Sequence, residues 1–231
     1  MPHSILFLGA HLDDAVIAAG ATIRAFVDAG HAVDVVCLGN GDEAFTTPDG
    51  REEAAARFLE DARRAHAALG VRHFECHGVP DFAVGQTRDF YRHCIRAIRR
   101  VRPAVVFGHW WAEYFQHREM ARQSRDAWFQ AAWDCSADLG APWRAERYYH
   151  FEVLQDLPEP THLVDVSAVF EAKLEAWNCF STAHEHLGSL ARQLETRAAH
   201  HGAKIGVRYA EAFRQSFFQP QSCPSAEALL P

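Results

Sequence analysis

No apolar run in this 231-residue chain approaches the roughly 20 residues needed to cross a bilayer, so a membrane span is not expected. Basic residues are too few for a nucleic-acid footprint: Lys and Arg number 23 against 30 Asp and Glu, the formal net charge is −7, and there is no basic stripe. A small-molecule partner is expected instead. There is no C-x-x-C pair either. The six cysteines, at 37, 76, 94, 135, 179 and 223, are scattered through the chain, which suits reduced thiols rather than a disulfide framework. The first residues lack a basic region followed by an apolar core and a cleavage site, so nothing argues for export and a cytoplasmic protein is expected. No G-x-G-x-x-G follows the first apolar run, which speaks against a nucleotide-binding Rossmann domain.

What is present is an ordinary globular balance, 48% hydrophobic and 23% charged, in a chain long enough to bury one sizeable core. One domain over residues 1–218 is expected. The last residues, 219–231, contain three prolines and no sustained periodicity, and are expected to be loosely held. The informative stretch is Ile5-Leu6-Phe7-Leu8-Gly9-Ala10-His11-Leu12-Asp13-Asp14. Residues 4–10 are apolar on both faces and read as a buried parallel strand opening into a loop. Ligands in open α/β sheets bind at the carboxyl ends of strands, which puts His11, Asp13 and Asp14 at the mouth of the fold. Residues 16–29 read as a helix closed by Gly30. With residue 11 just before its first turn, His11 and Asp14 can point to one side and share a cation, while Asp13 reaches something bound beside it.

The strand and helix signals then alternate. Strands are expected at 32–38, 71–76 and 104–108, and helices at 51–69, 90–101 and 118–134. This order predicts an α/β, Rossmann-like three-layer fold with a mostly parallel sheet and right-handed crossovers. Further on, 147–154 and 162–166 read as strands, and 167–183 and 187–202 as helices. The fourth strand's loop offers His109, Glu113 and His117 as candidates for a third metal ligand. The set His11, Asp14 and His117 has the two-histidine, one-carboxylate make-up of a hydrolytic zinc centre. Zinc lowers the pKa of a bound water towards ~7, and Asp13 is placed to take its proton during attack on a carbonyl. Paired aspartates also cap helix N-termini, and that alternative stands beside the catalytic one. The aromatic set Trp110, Trp111, Tyr114 and Phe115 suits either core packing or a substrate wall, with Trp111 a candidate contact for a sugar face.

Ala10-His11-Leu12-Asp13-Asp14, followed by Ala19-Gly20-Ala21-Thr22-Ile23, resembles the opening motif of the LmbE-like, or PIG-L, N-deacetylase family. Arg57-x-x-Glu60, Ala68-Leu69-Gly70-Val71 and Pro80-Asp81 resemble that family's second region. Gln116-His117-Arg118 corresponds to its His-Pro-Asp-His motif, Val164-Asp165-Val166-Ser167 with Lys173 to its later part, and Gly206 to Phe213 to its carboxyl-terminal signature. The resemblance implies that His11, Asp14 and His117 bind Zn2+, with iron or cobalt as substitutes, and that Asp13 is the general base. It also implies that Arg57 and Asp81 reach substrate hydroxyls. The implied reaction is hydrolysis of an N-acyl, usually acetyl, group from an amino-sugar-type small molecule. Self-association is left open.

Leu12 and Ala15 depart from the family's proline and glutamate, and its first motif histidine and its aspartate fall on Tyr114 and Gln116. Tyrosine is the weaker acid, with a reference pKa of ≈ 10 against ≈ 6.5 for histidine. The expectation is therefore that Tyr114 or His109 supplies the missing catalytic contact. His184 is read as structural. Rival readings are a non-catalytic metal- or ligand-binding member of the fold, and an iron(II) oxygenase using two histidines and one carboxylate.

Overall fold

The computed structural model describes residues 1–84, 88–181, 183 and 190–217. The expected tail and His184 lie outside them. The first half alternates as β1 (Ser4–Gly9), α1 (Asp14–Asp28), β2 (Ala32–Gly39), α2 (Arg51–Ala68), β3 (His73–Val79), α3 (Arg88–Val101), β4 (Val105–His109), α4 (Phe115–Ala131) and β5 (Arg147–Phe151). The second half adds β6 (His162–Asp165), α5 (Phe170–Trp177), α6 (Leu190–Ile205) and β7 (Ala210–Ser216). All seven strands join one sheet in the order β3-β2-β1-β4-β5-β7-β6. The first five run parallel, and β7 runs antiparallel to both of its neighbours. A mostly parallel sheet between helical layers is the expected architecture.

The alternation within β1 shows why a near-continuous apolar run is required. Ile5 and Phe7 face a core shared with α1 and α2, whereas Leu6 and Leu8 face one shared with α3 and α4. Both faces of the strand are covered, so neither can be polar. From β1 the chain steps outward to β2 and β3, then crosses back to β4 and β5. The order therefore reverses between β1 and β4, and a crevice opens beyond their carboxyl ends.

Boundaries differ from expectation at several elements. Helix α1 begins at Asp14 rather than residue 16, α4 begins at Phe115 rather than 118, and the helix expected over 167–183 is α5, Phe170–Trp177. Strand β7 carries no strand signal in Ala210-Glu211-Ala212, because alanine and glutamate are weak strand formers. Tertiary contacts hold it. Glu211 is buried and ion-paired with buried Lys173, Nζ to Oε1 at 2.6 Å. Helix α1 is interrupted at Ala19 (φ −145°, ψ 21°), and the Glu211 carboxylate accepts the N–H groups of Ala21 (3.3 Å) and Thr22 (2.7 Å) just beyond the break. Gly20 allows the close approach there, since a Cβ would stand 3.0 Å from Lys173 Cγ and crowd that side chain.

His66 of α2 is fully buried, stacked on Phe74 with ring centroids 4.3 Å apart, and its Nδ1–H donates to the Ala62 carbonyl at 2.7 Å. Its Nε2 has no partner, and burial pushes its pKa down to about 4. The unfolded chain takes up a proton near pH 6.5 and the folded chain does not until about pH 4, so stability is present above 6.5 and is lost on acidification through that window. The loss from this group should be about 2–3 kcal/mol between pH 7 and 4.5. Urea titrations of the protein and of His66→Phe at both pH values check this: the variant should lose less stability on acidification by about that amount, and parallel losses would contradict the assignment.

Candidate active site

The chain leaves β1 through buried Ala10 and turns back on itself at His11, whose backbone N–H donates to Asp14 Oδ2 at 2.6 Å. Leu12, in place of the family's proline, packs into the core beside α1 and α2. Asp13 occupies the position before the helix. Its carbonyl accepts the N–H groups of Val16 and Ile17, but its side chain makes no capping bond. The paired aspartates therefore do more than cap a helix. Asp14 bonds back to the loop and Asp13 lines an open cavity.

Asp14 is the hub of a cluster. Its Oδ1 lies 3.2 Å from His117 Nε2, its Oδ2 lies 3.6 Å from His11 Nδ1, and His11 Nδ1 and His117 Nε2 are 3.1 Å apart. One ligand atom from each of His11, Asp14 and His117 falls within 4.8 Å of the others. His117 comes from the first turn of α4, and its Nδ1–H donates to Glu113 Oε2, which points Nε2 at Asp14 and His11. Two imidazole nitrogens and one carboxylate oxygen thus converge beside a cavity, with Glu113 setting the His117 tautomer. That donor set fits a divalent cation of the zinc type with coordination positions left open.

Glu113 is the residue whose role the sequence left unassigned. It is buried, and its Oε1 accepts the backbone N–H groups of Val153, Leu154 and Gln155 at 2.7, 3.1 and 3.4 Å. It stands four residues before His117, one helical turn, so the spacing was the available signal. His109 requires a correction. It is fully buried at the end of β4, its Nε2 lies 3.0 Å from both Asp14 Oδ2 and the Ala10 backbone nitrogen, and it is not part of the cavity wall. It stands behind Asp14, where it can orient that carboxylate.

The cavity holds about 260 Å³ and is walled by His11, Asp13, Asp14, Asp81, Tyr114 and His117, with Ile17, Phe58, Val153 and Leu154 supplying an apolar side. Tyr114 Oη lies 3.3 and 3.4 Å from the two ring nitrogens of His11, and the rings stack. Asp81 accepts the N–H groups of Gly41 (3.0 Å) and Glu43 (3.3 Å), which pins the loop after β2 to the cavity. Gln116, where the family has aspartate, donates to the Asp81 carbonyl at 3.3 Å. Two expected substrate contacts are not brought here. Arg57 is exposed on α2 outside this wall, and Trp111 lines a different cavity because the turn before α4 directs it away from Tyr114.

Electrostatics separate the two aspartates. Burial and the neighbouring Asp14 charge push Asp13 up to about 7. Burial acts on Asp14 in the same direction, but His117, His109 and His11 outweigh it and hold the carboxyl well below its ordinary value. Burial would depress His117, yet Asp14 and Glu113 carry it up to about 9. Desolvation and the surrounding carboxylates raise the Tyr114 phenol further, so it remains a hydrogen-bond donor. Because Glu113 fixes the His117 tautomer, Glu113→Gln should weaken metal binding about 10- to 100-fold while the backbone N–H groups near Val153 keep an acceptor. Metal titration by calorimetry checks this, and unchanged affinity would remove Glu113 from the site.

The PIG-L family, described as GlcNAc-PI de-N-acetylase, matches residues 6–128. A diacetylchitobiose deacetylase of Thermococcus kodakarensis is 30% identical over 229 residues, which cover 91% of this chain and 82% of that protein. The N,N'-diacetylchitobiose deacetylase of Pyrococcus horikoshii, solved with an inhibitor, superposes with a TM-score of 0.82 at 23% identity, covering 93% of this chain and 84% of that one. GalB, a 4-carboxy-2-hydroxymuconate hydratase from Pseudomonas putida, superposes with a TM-score of 0.78 at 23% identity over 97% of this chain and all of its own (100%). The last two likenesses show the fold. The matched motif region and the Thermococcus relative together establish that this chain belongs to the PIG-L, or LmbE-like, family.

Proposed function

We propose that this protein is a zinc-dependent N-deacetylase that removes an acetyl group from a small amino sugar or amino-sugar conjugate. The observation that carries the reading is the convergence of His11, Asp14 and His117 on the wall of a cavity that also holds Asp13. A divalent cation bound by those three ligands polarises an amide carbonyl and acidifies water. Asp13, with its pKa near neutrality, is suited to take a proton from the attacking water and return it to the nitrogen as the C–N bond breaks. The products are acetate and a free amine. The Tyr114 hydroxyl, kept protonated, donates to the carbonyl oxygen as negative charge grows on it. Unfilled lone pairs of Asp81 are available to sugar hydroxyls, and the apolar side formed by Phe58 and Leu154 suits the acetyl methyl or a ring face.

A volume of about 260 Å³ lies at or just below the lower end of ligand sites and suits one sugar-sized unit. The Thermococcus relative's deacetylase name supports the acetyl-sugar class. The oxygenase reading loses its ground, since that triad belongs on an antiparallel jelly roll and the sheet here is mostly parallel. Residues 1–218 are read as one catalytic unit. The five described cysteines are free, which supports a reducing, cytoplasmic setting. Among the described residues no helix is long and apolar enough to cross a membrane.

Acetate release from a panel of N-acetylated amino sugars, before and after chelation, tests the reading. One metal per chain with chelator-sensitive release supports it, and metal with no turnover on any amide would leave the binding-module alternative. Asp13→Asn should retain the metal and lose most of kcat, whereas Asp14→Asn should lose both; equal metal loss would mean the two roles are misassigned. Tyr114→Phe should lower kcat on the order of 10²-fold with little change in KM. An unaltered kcat would exclude the hydroxyl from the reaction.

A further inference from the structure

A second cavity, of about 620 Å³, lies on the other side of α4. The helix that turns His117 towards the metal ligands presents Arg118, Arg122 and Arg125 to this cavity, a spacing of four and three residues along one face. Arg214 of β7 closes it from across the sheet, so four guanidinium groups meet Glu119 as the one acidic side chain of the lining among the described residues. Glu159 pairs with Arg214 and Asp126 with Arg125, so the local excess of positive charge in this chain of net charge −7 rests on Arg118 and Arg122.

The arginines differ in how they are held. Arg214 donates to the Pro158 and Glu159 carbonyls at 2.8 and 3.1 Å, pairs with the Glu159 carboxylate at 3.2 Å and lies over the Trp110 ring, 5.3 Å from its centroid. Arg125 Nε donates to Ser216 Oγ at 2.9 Å. Arg118 and Arg122 are exposed, and neither pairs with a carboxylate among the described residues. Two fixed guanidinium groups and two uncommitted ones form a fork suited to the oxygens of phosphate.

The floor and one wall are aromatic. Trp111 is 57% exposed with its ring at the cavity, a surface on which a ring compound can stack. Trp110 is buried, and its Nε1–H has no partner. An unused buried donor in the wall of a cationic cavity is a vacancy for an acceptor. The volume is that of a small-molecule site, and the net charge of −7 works against a polynucleotide.

We propose that this cavity is a second ligand site, separate from the metal ligands, that binds a phosphate ester of a ring compound, with Arg118 and Arg122 gripping the phosphate and Trp111 stacking on the ring. Metal-loaded protein is titrated by calorimetry with uridine 5′-diphosphate, with glucosamine 6-phosphate and with inorganic phosphate, and each titration is repeated in the presence of acetate to occupy the catalytic cavity. A sugar phosphate and a nucleotide share the recognised chemistry, and the first two arms distinguish them. At least one ester should bind, insensitive to acetate, and the double variant Arg118→Ala/Arg122→Ala should weaken it about tenfold or more while deacetylation without added phosphate is unchanged. Trp111→Ala should weaken the ester and leave inorganic phosphate unaffected.

Binding that acetate displaces, or that survives loss of both arginines, would assign the phosphate to the metal ligands and overturn the proposal. Absence of binding by every probe would overturn it too. So would a change of oligomeric state by light scattering in the arginine variant with no phosphate binding, which would make this face a contact between copies of the chain. None of these outcomes bears on deacetylation, so the second site and the catalytic reading fail independently.

Discussion

Asp14 is buried to 1% exposure yet stays ionised, and the mouth of the sheet is arranged around that charge. A lone carboxylate there would be intolerable, because burial costs several kcal/mol for an unpaired ion. Three imidazoles and the amide of His11 surround it instead, each brought by a different piece of chain: the β1 loop, the end of β4 and the first turn of α4. The same crowding drives the neighbouring carboxylate the other way. Asp13 shares the burial and faces the Asp14 charge, so two adjacent aspartates acquire opposite proton affinities from one arrangement.

The parts of the site that are local in sequence were legible. An apolar run ending in His11-Leu12-Asp13-Asp14 states its own position, because a strand covered on both faces has nowhere polar to go except its carboxyl end. His117 is remote in sequence and needed the family resemblance to rank it above His109. The structure separates them by which side of Asp14 each occupies, a fact no spacing encodes. Trp111 and Tyr114 sit three residues apart in an irregular stretch, where neither a period of 3.6 nor of 2 applies, and they serve different cavities. Arg57 was raised by resemblance alone, and its exposed place on α2 does not bring it to the cavity wall. Strand β7 was hidden because its pairing is tertiary in origin.

The fold by itself does not choose a reaction. A hydratase and a deacetylase both superpose on this chain at the same 23% identity. What narrows the chemistry is the local set of groups: Asp13 pushed up to about 7, a phenol kept protonated, and a His11, Asp14 and His117 group that could hold a metal, with a buried glutamate bonded to His117. Glu113 bonds one of its oxygens to His117 and the other to the amides after β5, which ties the ligand geometry to the backbone of a neighbouring strand.

The break in α1 at Ala19 ties the first tenth of the chain to the last. The freed N–H groups of Ala21 and Thr22 are taken by Glu211, whose charge Lys173 balances, so the helix that begins at Asp14 is held from two places far downstream. All three metal-ligand candidates lie within the family-matched segment that ends at residue 128, but that segment lacks both members of the ion pair. During synthesis the ribosome therefore delivers the ligands long before it delivers what steadies them. The bonds that hold the helix beyond its break cannot form before residue 211 has been synthesised, so the stretch that carries the three candidates is made well before the contacts that brace its first helix.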